Sequence, residues 1–572
     1  MKVFRGSWLL IFLLSAVFSV FGQNRERSFD VQHYIIRTSF DRPSKTVNGD
    51  TTVRLGPLAY GFKGFSLDAV NLQVQSVILE ETGKPLIFSS ANNKLNITLD
   101  RAYAPADLIS VRIKYRIVKP KAGIYFVDAL KKDGTEIRAA QIWSQGEAEE
   151  NRYWFPSYDF PDDKATSEQF ITTTTPDETA IANGELVEVK TNEDKTKTFH
   201  YRMNVPHSSY LTSLVIGKYT KVEDKHQNVP LGFYVYPGTE SIVKPAYGKT
   251  GKMIALYQEL LGVRFPYNKY DQTVVGAFQF GGMENITATT MADTEIYAAG
   301  EKGALLPATE VLVAHELAHS WFGDLVTCKN WANLWLNEGF ATFFESVYLE
   351  REYGRDAYLN DLRNNAAQYF NEEPFLKHPL LNLRAQPNIL LFDATTYKKG
   401  GYVVHMLRET VGEEMFWKSL NVYLNRHKFN NVETADLQRA FEDTTGKDLN
   451  WFFEQWVRKA GFPKLKIQPQ YDAANKKLLI NVTQTQEANS QTPAVFRFST
   501  IVEIGTPEGT NVQKIEMTER RQTFTFDAPT KPLSITFDPR EQVLKKGEIE
   551  DLAEFHTSTA RKQIYRLKLN VH

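Results

Sequence analysis

The stretch His315-Glu316-Leu317-Ala318-His319 decides how the rest of this chain is read. It sits in an apolar run, Glu310–Trp321, whose spacing predicts a helix. Residues four apart stand one turn above each other, so both imidazoles leave the helix on the same side. Two ligands of one tetrahedral zinc need that separation. Glu316 is rotated about 100° from His315, so it can reach a water beside the ion without ligating. The five-residue pattern alone is common by chance, and two histidines on an ordinary helix are its bland reading. The flanking sequence must therefore carry the case.

A catalytic zinc site needs a third protein ligand and an open fourth position. Asn337-Glu338-Gly339-Phe340-Ala341 supplies a candidate: Glu338 lies 19 residues beyond His319, near the start of a second predicted helix. Two antiparallel helices joined over that interval bring Glu338 back beside the histidines. The helix dipole by itself also favours an acid in a first turn. Two histidines and a glutamate are the catalytic rather than the structural ligand type.

These segments resemble the gluzincin metallopeptidases. Gly281-Gly282-Met283-Glu284-Asn285 narrows the likeness to the aminopeptidase N family, whose exopeptidase motif is usually Gly-Ala-Met-Glu-Asn. Glu284 stands 31 residues before His315, in the family's order. The resemblance covers residues from about 25 to 465, including His319-Ser320-Trp321-Phe322-Gly323-Asp324. It implies one Zn2+ per chain, held by His315, His319 and Glu338, with Glu316 as general base. It implies peptides with a free N-terminus as substrates, their amine anchored by Glu284 beside the backbone of Gly281, Gly282 and Met283. Ser144-Gln145-Gly146-Glu147 is similar to the family's second anchoring segment, which makes Gln145 and Glu147 substrate contacts. Glu147, Glu149 and Glu150 also read as a plain solvated acidic run. Tyr397, in Tyr397-Lys398-Lys399-Gly400, resembles the family's oxyanion-stabilising tyrosine, with Tyr402 as its rival. Phe280 is placed by chain position to line the pocket for the first side chain.

There are departures from the family pattern. Gly282 replaces alanine, which is expected to loosen the backbone, and Ser157 stands where many relatives have cysteine. The large helical C-terminal domain common in the family is not legible after Pro463. That fits either a shorter branch or an incomplete chain. Two rival readings follow: an epoxide hydrolase using the same zinc site, to which the glycine pair is similar, and a non-enzymatic scaffold.

The bulk properties agree with an enzyme of ordinary globular type. The chain has 572 residues, 42% apolar and 24% charged, with net charge −1. It is too long for one core, and nothing in its charge points to nucleic acid or an anionic membrane as partner. Lys2 and Arg5 precede an apolar run, Trp8–Phe21, which reads as a signal peptide over 1–22. Residues 23–215 read as a β domain, with turn signals at Asn48-Gly49 and Asp133-Gly134 and strands such as Leu67–Glu80. Residues 216–462 read as a mainly helical catalytic domain, 463–545 as a small β-sandwich, and 546–572 as a tail with a helix from Glu548. The expected fold class is thus multidomain α+β: an N-terminal β-saddle or sandwich, a thermolysin-like helical domain and a C-terminal β-sandwich. The single cysteine, Cys328, permits no internal disulfide and reads as a small buried residue. This favours a bacterial exported protein, periplasmic or extracellular, with no stable membrane insertion after signal removal. Asn285-Ile286-Thr287 is formally a glycosylation sequon, discounted here because it should be buried.

Overall fold

The computed structural model describes residues 25–299, 306–384 and 389–555. The expected signal peptide and the tail beyond residue 555 lie outside the described residues. No described helix is long and apolar enough to cross a membrane.

The first part of the chain is all β. Phe29–Asp41 alternates buried and exposed positions, as a strand with one face on a core does. It lies inside an eight-stranded sheet, paired antiparallel with Thr46–Pro57 and parallel with Lys164–Thr172. The first hairpin turns at residues 42–45, where the Lys45 N–H donates to the Arg42 carbonyl. Asn48-Gly49, expected as a turn, instead lies within Thr46–Pro57. Gly49 makes room there for the Tyr115 ring, which a Cβ would meet at 2.1 Å. The expected strand Leu67–Glu80 is broken into Phe62–Asp68 and Gln73–Leu79, which belong to different sheets. A four-stranded sheet, in the order Thr179–Ala182, Leu214–Gly217, Gln141–Ser144, Ile124–Val127, carries the chain towards the site.

The middle part opens with a five-stranded sheet. Its order is Thr220–His226, Val229–Val235, Tyr270–Val275, Ala288–Ala292, Gly282–Met283. Gly282–Met283 is the edge, pairing antiparallel with Met291 and Thr290. Helices follow: Leu306–Ala318, Trp335–Tyr353, Arg355–Glu372, Gly400–Val411, Glu413–His427, Thr434–Thr445 and Asn450–Trp456. Two of them, Glu413–His427 and Thr434–Thr445, have the ends their apolar spacing predicts. The motif helix ends at Ala318, short of the expected Trp321, because after Ala318 the chain folds back. The Trp321 and Phe322 N–H groups donate to the Ala318 carbonyl, and that of Asp324 donates to His319.

The C-terminal part is a sandwich. Phe498–Thr506 and its two neighbours form one sheet, and Lys464–Asp472 with Lys477–Gln484 the heart of the other. Ile467, Ile480, Val502 and Ile515 contribute to the buried core. The helix expected from Glu548 is not formed where the structure describes the chain. Lys546–Ile549 and Ala553–Phe555 are strands, both parallel to Lys464–Asp472, so residues 546–555 extend the sandwich.

One buried histidine ties the sandwich to the helices. His405, with no solvent exposure, accepts from the Tyr358 hydroxyl at Nδ1 (2.7 Å) and donates from Nε2 to the Glu541 carbonyl (3.0 Å). Burial pushes its pKa down to about 3. As pH falls below the ordinary value of about 6.5, the unfolded chain takes up this proton and the folded protein does not. The contribution is therefore present above that value and is lost as pH falls towards the folded value, by about 2 kcal/mol at pH ~5. The urea midpoint should fall less between pH 7 and 5 in His405→Gln than in the wild type. An equal fall would show that His405 is not a source of the acid sensitivity.

Candidate metal centre and its cleft

Three elements converge on the site. The motif helix Leu306–Ala318 carries His315 and Glu316 and ends against His319. Trp335–Tyr353 brings Glu338 in its first turn. Phe322 stacks on Phe340 with ring centroids 4.3 Å apart, which pins the return loop to this second helix. Asn337 holds the loop too: its side-chain oxygen accepts from the Cys328 N–H (3.1 Å). Cys328 itself is fully buried.

The resulting geometry is that of a metal face. His315 Nε2 and His319 Nε2 are 3.1 Å apart, and Glu338 Oε2 lies 3.3 and 3.4 Å from them. A tetrahedral ion with bonds of ~2.0–2.2 Å spaces its ligand atoms about 3.3–3.5 Å apart. The far nitrogens set the tautomers. His315 Nδ1 faces Glu345 Oε1 at 2.7 Å, and His319 Nδ1 faces the Phe322 carbonyl at 2.9 Å. Each Nδ1–H is thereby committed as a donor, so both Nε2 atoms present lone pairs. Two lone pairs and a carboxylate this close repel one another unless a cation lies between them. The donor set fits zinc.

By themselves, the surrounding carboxylates favour positive charge on the imidazoles. Burial disfavours charge on His315, but Glu338 and Glu345 outweigh it and hold its pKa up to about 9. Burial likewise opposes the Glu338 charge, yet the two histidines hold it down to about 2. Glu345 lies seven residues beyond Glu338, two turns along the same helix face, a spacing visible in the sequence but not singled out there. Replacing Glu345 with Gln should weaken zinc affinity by about 10–100-fold, read by competition against a fluorescent chelator. Unchanged affinity would mean that the His315 orientation does not depend on it.

Glu316 flanks this triangle without joining it. Its carboxylate lies within 4.8 Å of a His319 nitrogen and of Glu284. Its Oε2 is buried and has no partner. Burial is the main cause of a pKa pushed up to about 8. The edge strand at Gly282 runs directly against it: a Cβ there would fall 2.2 Å from Glu316 Oε1. The absent alanine methyl thus leaves room for this carboxylate, rather than simply loosening the backbone as expected.

Across the cleft, Gln145 and Glu147 follow the strand Gln141–Ser144, and Glu284 follows the edge strand Gly282–Met283 of another sheet. One oxygen of each, Gln145 Oε1, Glu147 Oε1 and Glu284 Oε1, is buried with no donor. Carboxylate oxygens of Glu147, Glu284 and Glu338 lie within 4.8 Å of one another. Gln145 Nε2 reaches the Met283 sulfur at 3.3 Å, which joins these two segments. Asn285 is fully buried, its Nδ2 donating to Thr290 at 2.9 Å, so the sequon is inaccessible in the folded protein.

Tyr397 lines the cleft, its ring nearly parallel to that of His315 with centroids 6.0 Å apart. It sits on a single π-helical turn, Thr395–Lys399, that leads into Gly400–Val411. Gly400 and Gly339 let the two helices touch: a Cβ on Gly339 would meet the Gly400 carbonyl carbon at 2.9 Å. Tyr402, the rival, is buried elsewhere, its hydroxyl donating to the Glu541 carbonyl at 2.8 Å. Gly281, Gly282, Met283 and Phe280 all border the same cleft, a cavity of about 520 Å³.

Comparison with known proteins agrees with this arrangement. Residues 246–456 match the Peptidase family M1 domain, and 30–211 match the Peptidase M1 N-terminal domain. Aminopeptidase N of Streptomyces lividans is 34% identical over 348 residues, covering 58% of this chain and 40% of that protein. Tricorn protease-interacting factor F2 of Thermoplasma acidophilum is 28% identical, covering 76% and 54%. Puromycin-sensitive aminopeptidase of Caenorhabditis elegans is 27% identical, covering 86% and 54%. The chain thus spans about half the length of the curated relatives it matches. Among solved structures, Legionella pneumophila aminopeptidase A in complex with aspartic acid shares the fold, with TM-score 0.78 and 18% identity. The match covers 92% of this chain and 60% of that one.

Proposed function

Because this chain belongs to the M1 family of peptidases, we propose that it is a zinc-dependent aminopeptidase, releasing the N-terminal residue of peptides. The observation that carries this reading is the trio of orphaned acceptors, Gln145 Oε1, Glu147 Oε1 and Glu284 Oε1. An ammonium group has three N–H donors. A free peptide N-terminus would satisfy all three acceptors and place the first peptide bond beside the His315–His319–Glu338 triangle.

Zinc held by His315, His319 and Glu338 would act as a Lewis acid on water and on the scissile carbonyl. Glu316 takes a proton from the attacking water and returns it to the leaving amine. Its burial beside the site raises its proton affinity, which suits both halves of that transfer. The Tyr397 hydroxyl donates to the oxyanion that develops on the carbonyl. Glu284, Glu147 and Gln145 hold the amine, so the cut falls after the first residue and nowhere else. Export, with residues 1–22 as a signal peptide, belongs to the same proposal and rests on the sequence pattern alone.

The test is hydrolysis of amino-acid anilides against their N-acetylated forms, with and without a chelator. Acetylation should lower kcat/KM by at least about 100-fold, because it removes the charge that leaves Glu147 and Glu284 unpaired. Equal cleavage of blocked substrates would sink the reading and point to an endopeptidase. No observation favours epoxide hydrolysis, which needs no ammonium anchor.

A further inference from the structure

A second cavity, of about 400 Å³, opens from the amine-anchoring wall. It shares Gln145, Glu147, Phe280 and Phe392 with the metal cleft, so these four side chains form the boundary between the two. Gln145 and Glu147 are 4% and 7% exposed, and each leaves an oxygen without a donor. A substrate amine held at this boundary has two directions open: the metal cleft for its peptide bond, and the second cavity for its first side chain.

The walls of that cavity are aromatic. Tyr125 stacks on Trp143 with ring centroids 4.3 Å apart, and Phe278 meets Trp143 edge-on at 5.2 Å. Phe280 bridges Phe278 and Phe392, at 6.0 and 5.6 Å. Such walls suit an extended hydrocarbon stem, and they also favour a cation at its tip.

The charge in the cavity is not balanced. Arg152 lines it, but Arg152, Arg25 and Lys94 are matched by Asp68, Glu149 and Asp159 in one network of ion pairs. Those three cations and three carboxylates cancel. Glu147 and Glu150 remain, and among the described residues no lysine or arginine pairs with either. Glu150 accepts from the Tyr125 hydroxyl, at 3.1 Å, and from the Gly123 backbone, both neutral donors. Both carboxylates sit on one tight turn, closed by the Glu150 N–H donating to the Gly146 carbonyl at 2.7 Å.

We infer that the second cavity receives the first side chain of the substrate and selects lysine or arginine, with Glu150 as the specificity-determining residue. This rests on the aminopeptidase reading. The amine is held by Glu147 and Glu284, the stem lies along Trp143 and Phe280, and the side-chain cation reaches Glu150. An acidic first side chain would meet the Glu150 carboxylate, which no cation pairs, and be rejected.

The experiment compares kcat/KM for lysyl-, arginyl-, norleucyl- and phenylalanyl-anilides with zinc-loaded full-length protein. Norleucine matches the lysine stem without its charge. The basic substrates should exceed norleucine by at least about 10-fold at low salt, less at high salt. In Glu150→Gln that ratio should fall towards one, and Glu150→Asp should keep most of it. A wild-type enzyme that turns over norleucyl or phenylalanyl substrates as well as basic ones would overturn this inference and leave the aminopeptidase reading standing. So would an unchanged ratio in Glu150→Gln. Failure to hydrolyse any free-amine substrate would bring down the aminopeptidase reading and this inference with it.

Discussion

Glu316→Gln should lower kcat by about 10²–10⁴ while leaving zinc content and fold intact. The amide matches the carboxylate in size, so the packing against Gly282 is kept. Its nitrogen cannot accept a proton, and its oxygen is far too weak a base at neutral pH. Glu316 lies outside the His315–His319–Glu338 triangle, so the metal face loses no donor. KM should change little, because the proposed amine anchors are Glu284 and Glu147 rather than Glu316. The decisive pair of measurements is anilide turnover and zinc stoichiometry on the same preparation. Loss of both together would mean that Glu316 holds the metal. Retention of both would mean that another group is the base, and Glu284 would be the first to examine.

Removal of a ligand should have a different signature. In His319→Ala the triangle loses one corner, and Glu338 keeps only His315 as a close partner. Breaking a buried ion pair by deleting one partner costs about 3–5 kcal/mol, and the Phe322 carbonyl also loses its donor. Zinc stoichiometry should drop to near zero, activity should vanish, and the Tm should fall by several degrees. Chelation of the wild type should reproduce the loss of activity and part of the fall in Tm, because bound metal stabilises by mass action. Zinc should restore both in the wild type and neither in the variant. A variant that still binds stoichiometric zinc would show that the ligand set is other than the one drawn here.

The reach of the sequence can be judged residue by residue. His315 and His319 were legible because helical periodicity alone puts them on one face. Glu345 was equally legible, seven residues after Glu338, but a pattern of ligands does not draw attention to what orients them. Only motif resemblance set Tyr397 ahead of Tyr402, because their spacing leaves both near the start of one helix. The π-helical turn at Thr395–Lys399 and the close crossing of Gly339 on Gly400 place the first in the cleft. The contacts to Glu541 and Val543 carry the second away. Residues 546–555 were misread for a related reason. Short strands take their stability from partners, and the partner here, Lys464–Asp472, lies some eighty residues earlier.

The sequence by itself thus determined that His315 and His319 share one helix face, because i, i+4 spacing is local geometry that no distant contact needs to supply. Only the tertiary structure decided what surrounds that face. Gln145 and Glu147 lie near the end of an N-terminal strand, and Glu284 at the edge of another sheet. Their unpaired oxygens converge only once the two sheets pack against the helices. Whether Glu147 and Glu150 are solvated surface or cavity wall was likewise undecided along the chain. Burial is a property of the whole fold, and it alone turns an acidic run into a place where a cation is missing.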